Sequence, residues 1–145
     1  SAVFKSDEYT IYTRLITGNY FPYQKMFTEG EINTCASRTA LIGAMTRAKM
    51  CTEEKQPAVF RIEDDVLNIS IRDKLADYQE QVPLQETVCK SIRLGFDSKL
   101  VLETLKAFTC DNIALGFTSP RTPMIVEAED SDMKAMVLPV AIREA

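Results

Sequence analysis

The side chains best suited to catalysis in this chain are carboxylates, because the sequence contains no histidine. The commonest general base, the commonest metal ligand and every histidine-dependent nucleophile are therefore excluded. The densest carboxylate group is Glu63, Asp64 and Asp65, three consecutive residues between two strand-like segments. This placement is typical of a solvated acidic turn, whereas metal-dependent polymerase or nuclease chemistry needs carboxylates that converge from separate strands. The sequence therefore predicts a protein that is not an enzyme.

The four cysteines do not form a metal-binding pattern. They are Cys35, Cys51, Cys89 and Cys110, and no two of them form a CxxC pair, the spacing that organises zinc. We therefore expect no metal and no other cofactor. The sequence shows neither an export signal nor an apolar stretch near the roughly 18 residues that cross a bilayer. Reduced thiols, a cytoplasmic location and no membrane partner are the corresponding expectations.

Size and charge limit the remaining possibilities. The chain has 145 residues, of which 46% are apolar and 26% charged, which suits one globular domain with a substantial core. Its formal charge is -4, from 17 basic and 21 acidic residues. Binding of nucleic acid over a whole surface depends on many phosphate contacts by lysine and arginine, so this composition argues against it. The acidic overall composition still allows a local basic face on the surface.

One order of elements occurs twice along the chain. The first copy consists of a strand, a helix and three strands, at 31–36, 37–50, 58–62, 66–72 and 78–84. The second copy has the same order, at 91–96, 97–108, 113–118, 124–128 and 136–142. Ser37 is a good N-cap for the first helix, and Asp97 or Ser98 for the second. The sequence thus predicts an α+β fold built from two β-α-β-β-β units.

Both predicted helices are amphipathic. The apolar residues that share one face are Leu41, Met45 and Ala48 in the first helix and Val101, Leu105 and Phe108 in the second. Each helix is therefore expected to lie on a sheet. The outer faces carry small basic ridges, Arg38 with Lys49 and Lys99 with Lys106. Such charges are usually only a solvated surface, and weak contact with nucleic acid is the alternative.

Residues 1–30 lie outside the repeat. The segments 2–5 and 10–16 predict a hairpin around 6–8, followed by an aromatic connector that contains Pro22. Two strands alone are marginally stable in water, so the hairpin is expected to pack on another element. Truncation of a longer chain is one explanation for its isolation.

Several segments of the chain resemble the bacterial sliding clamp, the beta subunit of DNA polymerase III. These segments are GNYFPYQKMF at 18–27, RAKMCTEEK at 47–55, LGFDSKLVLETLKAF at 94–108 and MVLPVAI at 136–142. Their order and spacing cover essentially the whole chain and are specific in combination. The resemblance implies the DNA clamp fold, with two units related by a pseudo-twofold axis and both helices on one face of antiparallel sheets.

The resemblance also implies a domain division. Residues 25–145 correspond to the third clamp domain, and residues 1–24 to the terminal hairpin of the second domain with its linker. The chain is then a fragment of a processivity factor for the replicative polymerase. In the family, full-length subunits associate into a ring around duplex DNA and make weak contacts that allow sliding.

The ring implied by the resemblance assigns two groups of residues, one that faces the duplex and one at the interface between protomers. The candidates for facing the duplex are Arg38, Arg47, Lys49, Lys99 and Lys106. Met50 and Cys51 match the apolar pair at the interface where the third domain meets the first domain of another protomer. Without a first domain, the isolated chain is expected not to encircle DNA and to bind it poorly.

The resemblance further implies an apolar pocket that captures short Leu/Phe peptides of polymerase, clamp-loader and repair proteins. This chain would contribute Phe21, Pro22, Lys25, Met26, Leu100, Arg121, Pro123, Met136, Val137, Leu138, Pro139, Val140 and Ala141. Each buried Leu or Phe anchor contributes roughly 1.5–3 kcal/mol, so a few anchors give micromolar-range binding. Either Phe21 or Pro22 can fill the connector's place in the pocket, and packing in the core is the alternative for Val137. Because Pro139 cannot donate a ladder hydrogen bond, the terminal strand is expected to be an edge or bulged strand.

The alternative to the clamp is a generic α+β homo-oligomeric interaction module without a DNA role. It would be held together by the apolar residues of the hairpin, namely Val3, Phe4, Ile11, Tyr12 and Leu15. The clamp interpretation requires an apolar groove between the connector and the C-terminal strand that responds to a Leu/Phe peptide. The generic module does not.

Overall fold

The chain folds into three antiparallel sheets and two α-helices in the computed structural model, which describes residues 1–51, 56–74 and 76–142. The strands are β1 (Ala2–Lys5), β2 (Thr10–Thr13), β3 (Ile32–Ser37), β4 (Ala58–Glu63), β5 (Val66–Arg72), β6 (Asp77–Pro83), β7 (Ile92–Phe96), β8 (Asn112–Phe117), β9 (Met124–Ala128) and β10 (Ser131–Val137). The helices are α1 (Arg38–Met50) and α2 (Ser98–Ala107), and a 3-10 turn covers Tyr23–Met26.

The first strand of each predicted unit pairs with the sheet of the other unit. One four-stranded sheet has the order β10-β9-β8-β3 and the other the order β6-β5-β4-β7, while β1 and β2 form a separate hairpin. Thus β3 of the first unit joins β8 of the second, and β7 of the second joins β4 of the first. The predicted duplication and the α+β class are confirmed. The exchange of strands, by contrast, is not visible in the order of elements.

Equivalent hydrogen bonds mark the duplication at atomic detail. Ser37 caps α1 by accepting from the Ala40 amide, and Asp97 caps α2 by accepting from the Lys99 amide. Two residues before each cap, a strand carbonyl accepts from a segment that comes from the other sheet. The Gln85 amide donates to Cys35 O at 2.8 Å, and the Val140 amide donates to Gly95 O at 2.8 Å. In each unit, therefore, the segment after the last strand bonds back to the unit's own first strand, and it does so at corresponding positions.

The core lies between the helices and the two four-stranded sheets. Strands β4 and β5 bury alternate residues, as expected for sheets covered on one face. All six residues that the amphipathic pattern assigned to the helix faces are buried: Leu41, Met45, Ala48, Val101, Leu105 and Phe108. The helices also pack against each other, so both lie on the same side of the sheets. Phe60 and Phe96 join β4 to β7 with an edge-to-face contact, their ring centroids 5.1 Å apart.

Two predicted strands have different bounds in the structure. Strand β2 ends at Thr13 rather than at 16, and the last strand is Ser131–Val137 rather than 136–142. The ladder with β9 starts directly after the turn at 129–130, with polar Ser131 opposite Ala128, and ends at Val137 opposite Met124, so most of the apolar run at 136–142 lies beyond the strand. Strand β10 is an edge strand with a bulge between Ser131 and Lys134, whereas Pro139, from which an edge or bulged strand was expected, lies beyond its end at Val137. The other predicted bounds differ by at most one residue.

The Phe60–Phe96 contact generates a stability prediction. Replacement of the fully buried Phe96 (0% exposed) by alanine leaves a cavity where β7 meets β4. We expect Phe96→Ala to lower the free energy of unfolding by about 3–5 kcal/mol, measured by urea denaturation. The matched control is Phe4→Ala in β1, where the ring is 61% exposed and the expected change is below about 0.5 kcal/mol. Equal effects of the two substitutions would contradict this packing.

Candidate functional site

Three of the five candidate DNA-facing residues are exposed lysines on the helix layer. Lys49 and Lys106 lie in the last turns of α1 and α2, and Lys99 lies in the first turn of α2. A cation in the last turn of a helix interacts favourably with the helix dipole. The packing of α1 against α2 therefore places lysines from both units on one layer. Their contact with DNA stays a prediction.

Arg38 is bonded to the end of the other helix. Its Nε donates to Cys110 O at 2.6 Å, and its Nη1 donates to Leu105 O at 3.4 Å. Its backbone amide donates to Asp111 O at 2.8 Å. A helix C-terminus leaves carbonyl groups without intrahelical partners, and this half-buried guanidinium satisfies one of them. Arg38 thus joins the start of α1 to the end of α2, a role that the sequence alone does not indicate.

Arg47 is bonded to Glu80 of strand β6. Its Nε donates to Glu80 Oε2 at 2.9 Å, and its Nη2 donates to Glu80 Oε1 at 2.5 Å. The Tyr78 hydroxyl contacts the same carboxylate and lies 3.0 Å from Ala44 O, one turn earlier on α1. We call Arg47, Tyr78 and Glu80 the Arg47 network. It ties α1 to the edge strand of the second sheet.

The pKa values of the network follow from these contacts. Hydrogen bonds from Arg47 and, to a smaller extent, from Tyr78 lower the pKa of Glu80 below its ordinary value of 4.5. Burial, followed by the hydrogen bond to Glu80, raises the pKa of Tyr78 to about 12. The Glu80 carboxylate also raises the pKa of Arg47. At neutral pH the network is therefore a charged guanidinium, a carboxylate and a protonated phenol, in which the ion pair has no net charge.

The C-terminal residues assigned to the peptide pocket cross from one sheet to the other. Val137 ends β10 and is buried (3% exposed), so its side chain is part of the core. Beyond it, Leu138 and Val140 are 56% and 40% exposed, although the Val140 backbone is fixed by its bond to Gly95. Met136 and Pro139 are half-buried and Ala141 is exposed. The tail thus presents apolar side chains on an anchored backbone.

Gly95 makes the crossing of the tail possible. A Cβ at this position would lie 2.9 Å from Val140 O and 2.9 Å from Cγ1 of Ile142. Both distances are too short for a real side chain, and one of the atoms belongs to the backbone. Glycine in a strand often marks such a close approach of another backbone. This is a residue of the site that the sequence analysis did not single out, and its only signal was a glycine inside an apolar strand.

The other candidate pocket residues are mainly exposed. Phe21 is 62% and Leu100 49% exposed, and Pro22, Lys25 and Arg121 also face solvent. Met26 and Pro123 are half-buried. In the connector, Pro22 precedes the 3-10 turn, and Tyr20 and Tyr23 stack edge to face at 5.9 Å. The assignment of these residues to a peptide pocket stays a prediction.

The candidate ring interface lies at the end of α1. Met50 is 80% exposed, and Cys51 is exposed while its amide donates to Ala48 O at 3.2 Å. Residues 52–55, which complete the clamp-like run, lie outside the described part of the chain. An exposed methionine beside an exposed cysteine is compatible with a surface that a partner covers, and the interface stays a prediction.

The terminal hairpin has a large uncovered apolar surface. In register, Val3 faces Tyr12 and Phe4 faces Ile11 across the two strands. These four side chains are between 47% and 74% exposed. Because successive residues of a strand point to opposite faces, each face of the hairpin exposes one of these apolar pairs. The sequence expectation that the hairpin needs a packing partner is consistent with this exposure.

The acidic residues form the predicted turn between β4 and β5. Asp64 has a φ of 53°, and its carbonyl accepts from the Val88 amide at 2.8 Å. Glu63 forms an ion pair with Arg61 at 3.0 Å.

Within the described residues, no three His, Cys, Asp or Glu side chains are grouped to hold a metal ion. Neither helix in the described ranges is long and apolar enough to cross a membrane.

Comparisons with known proteins identify the family. Residues 26–141 match the family of the DNA polymerase III beta subunit, C-terminal domain. The beta sliding clamp of Staphylococcus aureus is 24% identical over 143 residues, which cover 95% of this chain and 38% of that protein. The clamp of Streptococcus pneumoniae is 23% identical over 146 residues, which cover 97% and 38%. This chain thus spans a little over a third of the length of these relatives.

Solved clamp structures share the fold. The beta subunit of Pseudomonas aeruginosa superposes with a TM-score of 0.86 at 19% identity, over 97% of this chain and 39% of that one. A beta subunit of Eubacterium rectale gives a TM-score of 0.85 at 23% identity, over 95% and 38%. The chain belongs to the DNA polymerase III beta subunit family, the beta sliding clamps, which is a non-catalytic family of DNA replication. The resemblance read from the sequence is confirmed.

The Arg47 network predicts opposite pH dependences for two of its members. The lowered pKa of Glu80 means that its contribution to stability is present above pH 4.5 and is lost as the pH falls through the pKa of the folded state. The raised pKa of Tyr78 means that its contribution is present below its ordinary value of 10 and is lost as the pH rises through about 12. We expect urea midpoints of wild type and Glu80→Gln to converge in acid, and those of wild type and Tyr78→Phe to converge in alkali. A pH-independent difference for either variant would contradict the network.

Proposed function

We propose that this chain acts as the third domain of a sliding-clamp subunit, with residues 1–24 as the terminal hairpin and linker of a second domain. The complete subunit would form a ring on duplex DNA and serve as a processivity factor in the cytoplasm. The observation that carries the proposal is the pair of adjacent helices with exposed lysines, in a domain that matches the clamp family over 26–141.

Weak contact with DNA suits the charge distribution. A ring is retained on DNA by its topology, so tight neutralisation of phosphates would only hinder its sliding. The chain has a net charge of -4, and its helix layer presents Lys49, Lys99 and Lys106 to solvent. Arg38 and Arg47 lie on α1 too, but each is bonded to other groups of the chain. We therefore assign the main phosphate contacts to the three lysines.

The tail and the connector form this chain's share of the peptide site. Leu138, Val140, Phe21 and Leu100 expose apolar side chains, and the tail backbone is held at Gly95. An exposed anchor residue on a fixed backbone loses little conformational entropy on binding. We propose that this surface captures Leu/Phe peptides of polymerase, clamp-loader and repair proteins, with weak affinity that allows partners to exchange.

Ring closure is assigned to the end of α1. Met50 and Cys51 would contact the first domain of another protomer, where burial of the exposed methionine supplies apolar contact area. In this proposal, ring closure requires the first domain of another subunit.

A second candidate function is homo-oligomerisation through the hairpin. It is favoured by the exposed apolar pairs Val3–Tyr12 and Phe4–Ile11. In the clamp proposal, the rest of a second domain covers these side chains, whereas in the alternative a second copy of the chain does. Sedimentation that depends on concentration, and that is abolished by Phe4→Asp, would favour the alternative.

The peptide site generates the first functional prediction. We expect a fluorescent peptide with Leu and Phe anchors to bind with micromolar-range affinity, and Leu138→Asp to weaken binding by about tenfold or more, because a buried leucine contributes roughly 1.5–3 kcal/mol. Ile16→Asp, at a residue that is 96% exposed beyond the hairpin, is the matched control and should bind as wild type. Met136→Asp should also weaken binding of the peptide, because Met136 is a half-buried residue of the same surface. Unchanged affinity of a folded Leu138→Asp variant would remove the proposed site.

The lysines generate a second prediction. We expect the chain to bind linear duplex DNA weakly and only at low salt, because its net charge is -4 and the proposed phosphate contacts come from three lysines. Replacement of one contacting lysine, as in Lys49→Gln or Lys99→Gln, should reduce the slope of log affinity against log salt by about 0.9. Fluorescence anisotropy of a labelled duplex measures this slope. Tight, salt-resistant binding of linear duplex would contradict the proposal.

A further inference from the structure

We infer that Glu80 and Tyr78 hold Arg47 out of contact with nucleic acid, so that Arg47 supplies no phosphate contact although it lies on the same helix as Lys49. The inference rests on the proposed function and refines it. It makes Glu80 a positioning residue that sets how much basic charge on α1 is available to DNA.

The guanidinium is occupied in the geometry that suits it best. Nε and Nη2 of Arg47 form two parallel hydrogen bonds to the two oxygens of Glu80, at 2.9 and 2.5 Å. Two-point pairing of this kind is stronger and more directional than a single ion pair. A phosphate would have to replace both bonds to bind Arg47 through the same edge of the guanidinium.

The carboxylate is itself held in place. The Tyr78 hydroxyl contacts Glu80 and also lies 3.0 Å from Ala44 O, so strand β6 and helix α1 are joined at two points. The Glu80 side chain is only 28% exposed, against 56% for Arg47. Most isolated surface ion pairs contribute little, but a well-oriented pair that is part of a network is the recognised exception.

Gly43 leaves room for this arrangement. It lies one turn before Arg47 on α1, and a Cβ at Gly43 would be 3.2 Å from Nη1 and 3.3 Å from Nη2 of Arg47. The arginine side chain is thus folded back over its own helix, toward β6. An alanine at position 43 would require the guanidinium to shift by a few tenths of an ångström.

The electrostatic consequence separates Arg47 from the lysines. The Arg47–Glu80 pair carries no net charge, so a phosphate that approaches it meets the carboxylate as well as the guanidinium. A released Arg47 would add one phosphate contact to the helix layer, and each such contact steepens the salt dependence by about 0.9. The network would therefore lower the affinity of the helix layer for DNA, which suits a protein that has to slide.

The test is a double-substitution cycle on the whole chain, with a short fluorescent DNA duplex as the probe and anisotropy measured across a range of salt concentrations. We expect Glu80→Gln to steepen the slope of log affinity against log salt by about 0.9, and to add about a threefold loss of affinity between 50 and 200 mM salt. Arg47→Gln should leave the wild-type slope unchanged, yet cancel the gain in the Glu80→Gln background. Because the change in net charge is the same in both backgrounds, the difference between them isolates the contact made by Arg47.

Two further variants complete the test. Gly43→Ala requires the guanidinium to shift by only a few tenths of an ångström and leaves the net charge unchanged, so it should keep the wild-type slope. Lys49→Gln should reduce the slope in every background.

If Arg47→Gln reduces the wild-type slope by about 0.9, or if Glu80→Gln leaves it unchanged, the inference is overturned while the proposed function stands. If Lys49→Gln, Lys99→Gln and Lys106→Gln all leave the slope unchanged, the proposed contact with DNA fails instead. Circular dichroism of each variant confirms that it is folded.

Discussion

The exchange of strands β3 and β7 between the two sheets is the constraint on which the rest of the structure depends. Because β3 pairs with β8 and β7 pairs with β4, neither unit can complete a four-stranded sheet without the other. Each helix begins directly after an exchanged strand, at Ser37 and at Asp97, so the same pairing places α1 beside α2. It also creates the crossing at Gly95, on which the position of the tail depends. The adjacent helices and the anchored tail, to which we assign the proposed contacts with DNA and with peptides, are therefore two consequences of one topology.

The helix layer shows that residues of the same charge can have different roles. Arg38 completes the end of α2, Arg47 is bonded to an edge strand, and lysines such as Lys49 face solvent. The two arginines have planar groups with several donors, which suit fixed partners in the protein, whereas a lysine ammonium is a mobile point charge. A surface whose arginines are bonded within the protein, while its lysines face solvent, is suited to the weak contacts with DNA that we propose.

Much of the fold could be predicted because it depends on local signals. The cap at Ser37, the second cap at Asp97 or Ser98 and the acidic turn at 63–65 all depend on neighbouring residues, and the structure confirms them, with Asp97 as the second cap. The family could be recognised because four segments keep their order. The sequence could not reveal contacts between distant residues, such as Arg47 with Glu80 of β6. Both predicted bounds of the last strand were also wrong, since most of the apolar run at 136–142 lies beyond the ladder with β9, with Leu138 and Val140 exposed.

The most direct test of the account is a nuclear magnetic resonance titration that maps both ligands on one sample of the chain. Amide shifts induced by duplex DNA should be confined to the exposed faces of α1 and α2, around Lys49, Lys99 and Lys106. Those induced by a Leu/Phe peptide should be confined to the connector and the tail beyond Val137, and each ligand should bind in the presence of the other. Shifts from DNA on the sheet faces, or competition between DNA and peptide for one surface, would contradict the account.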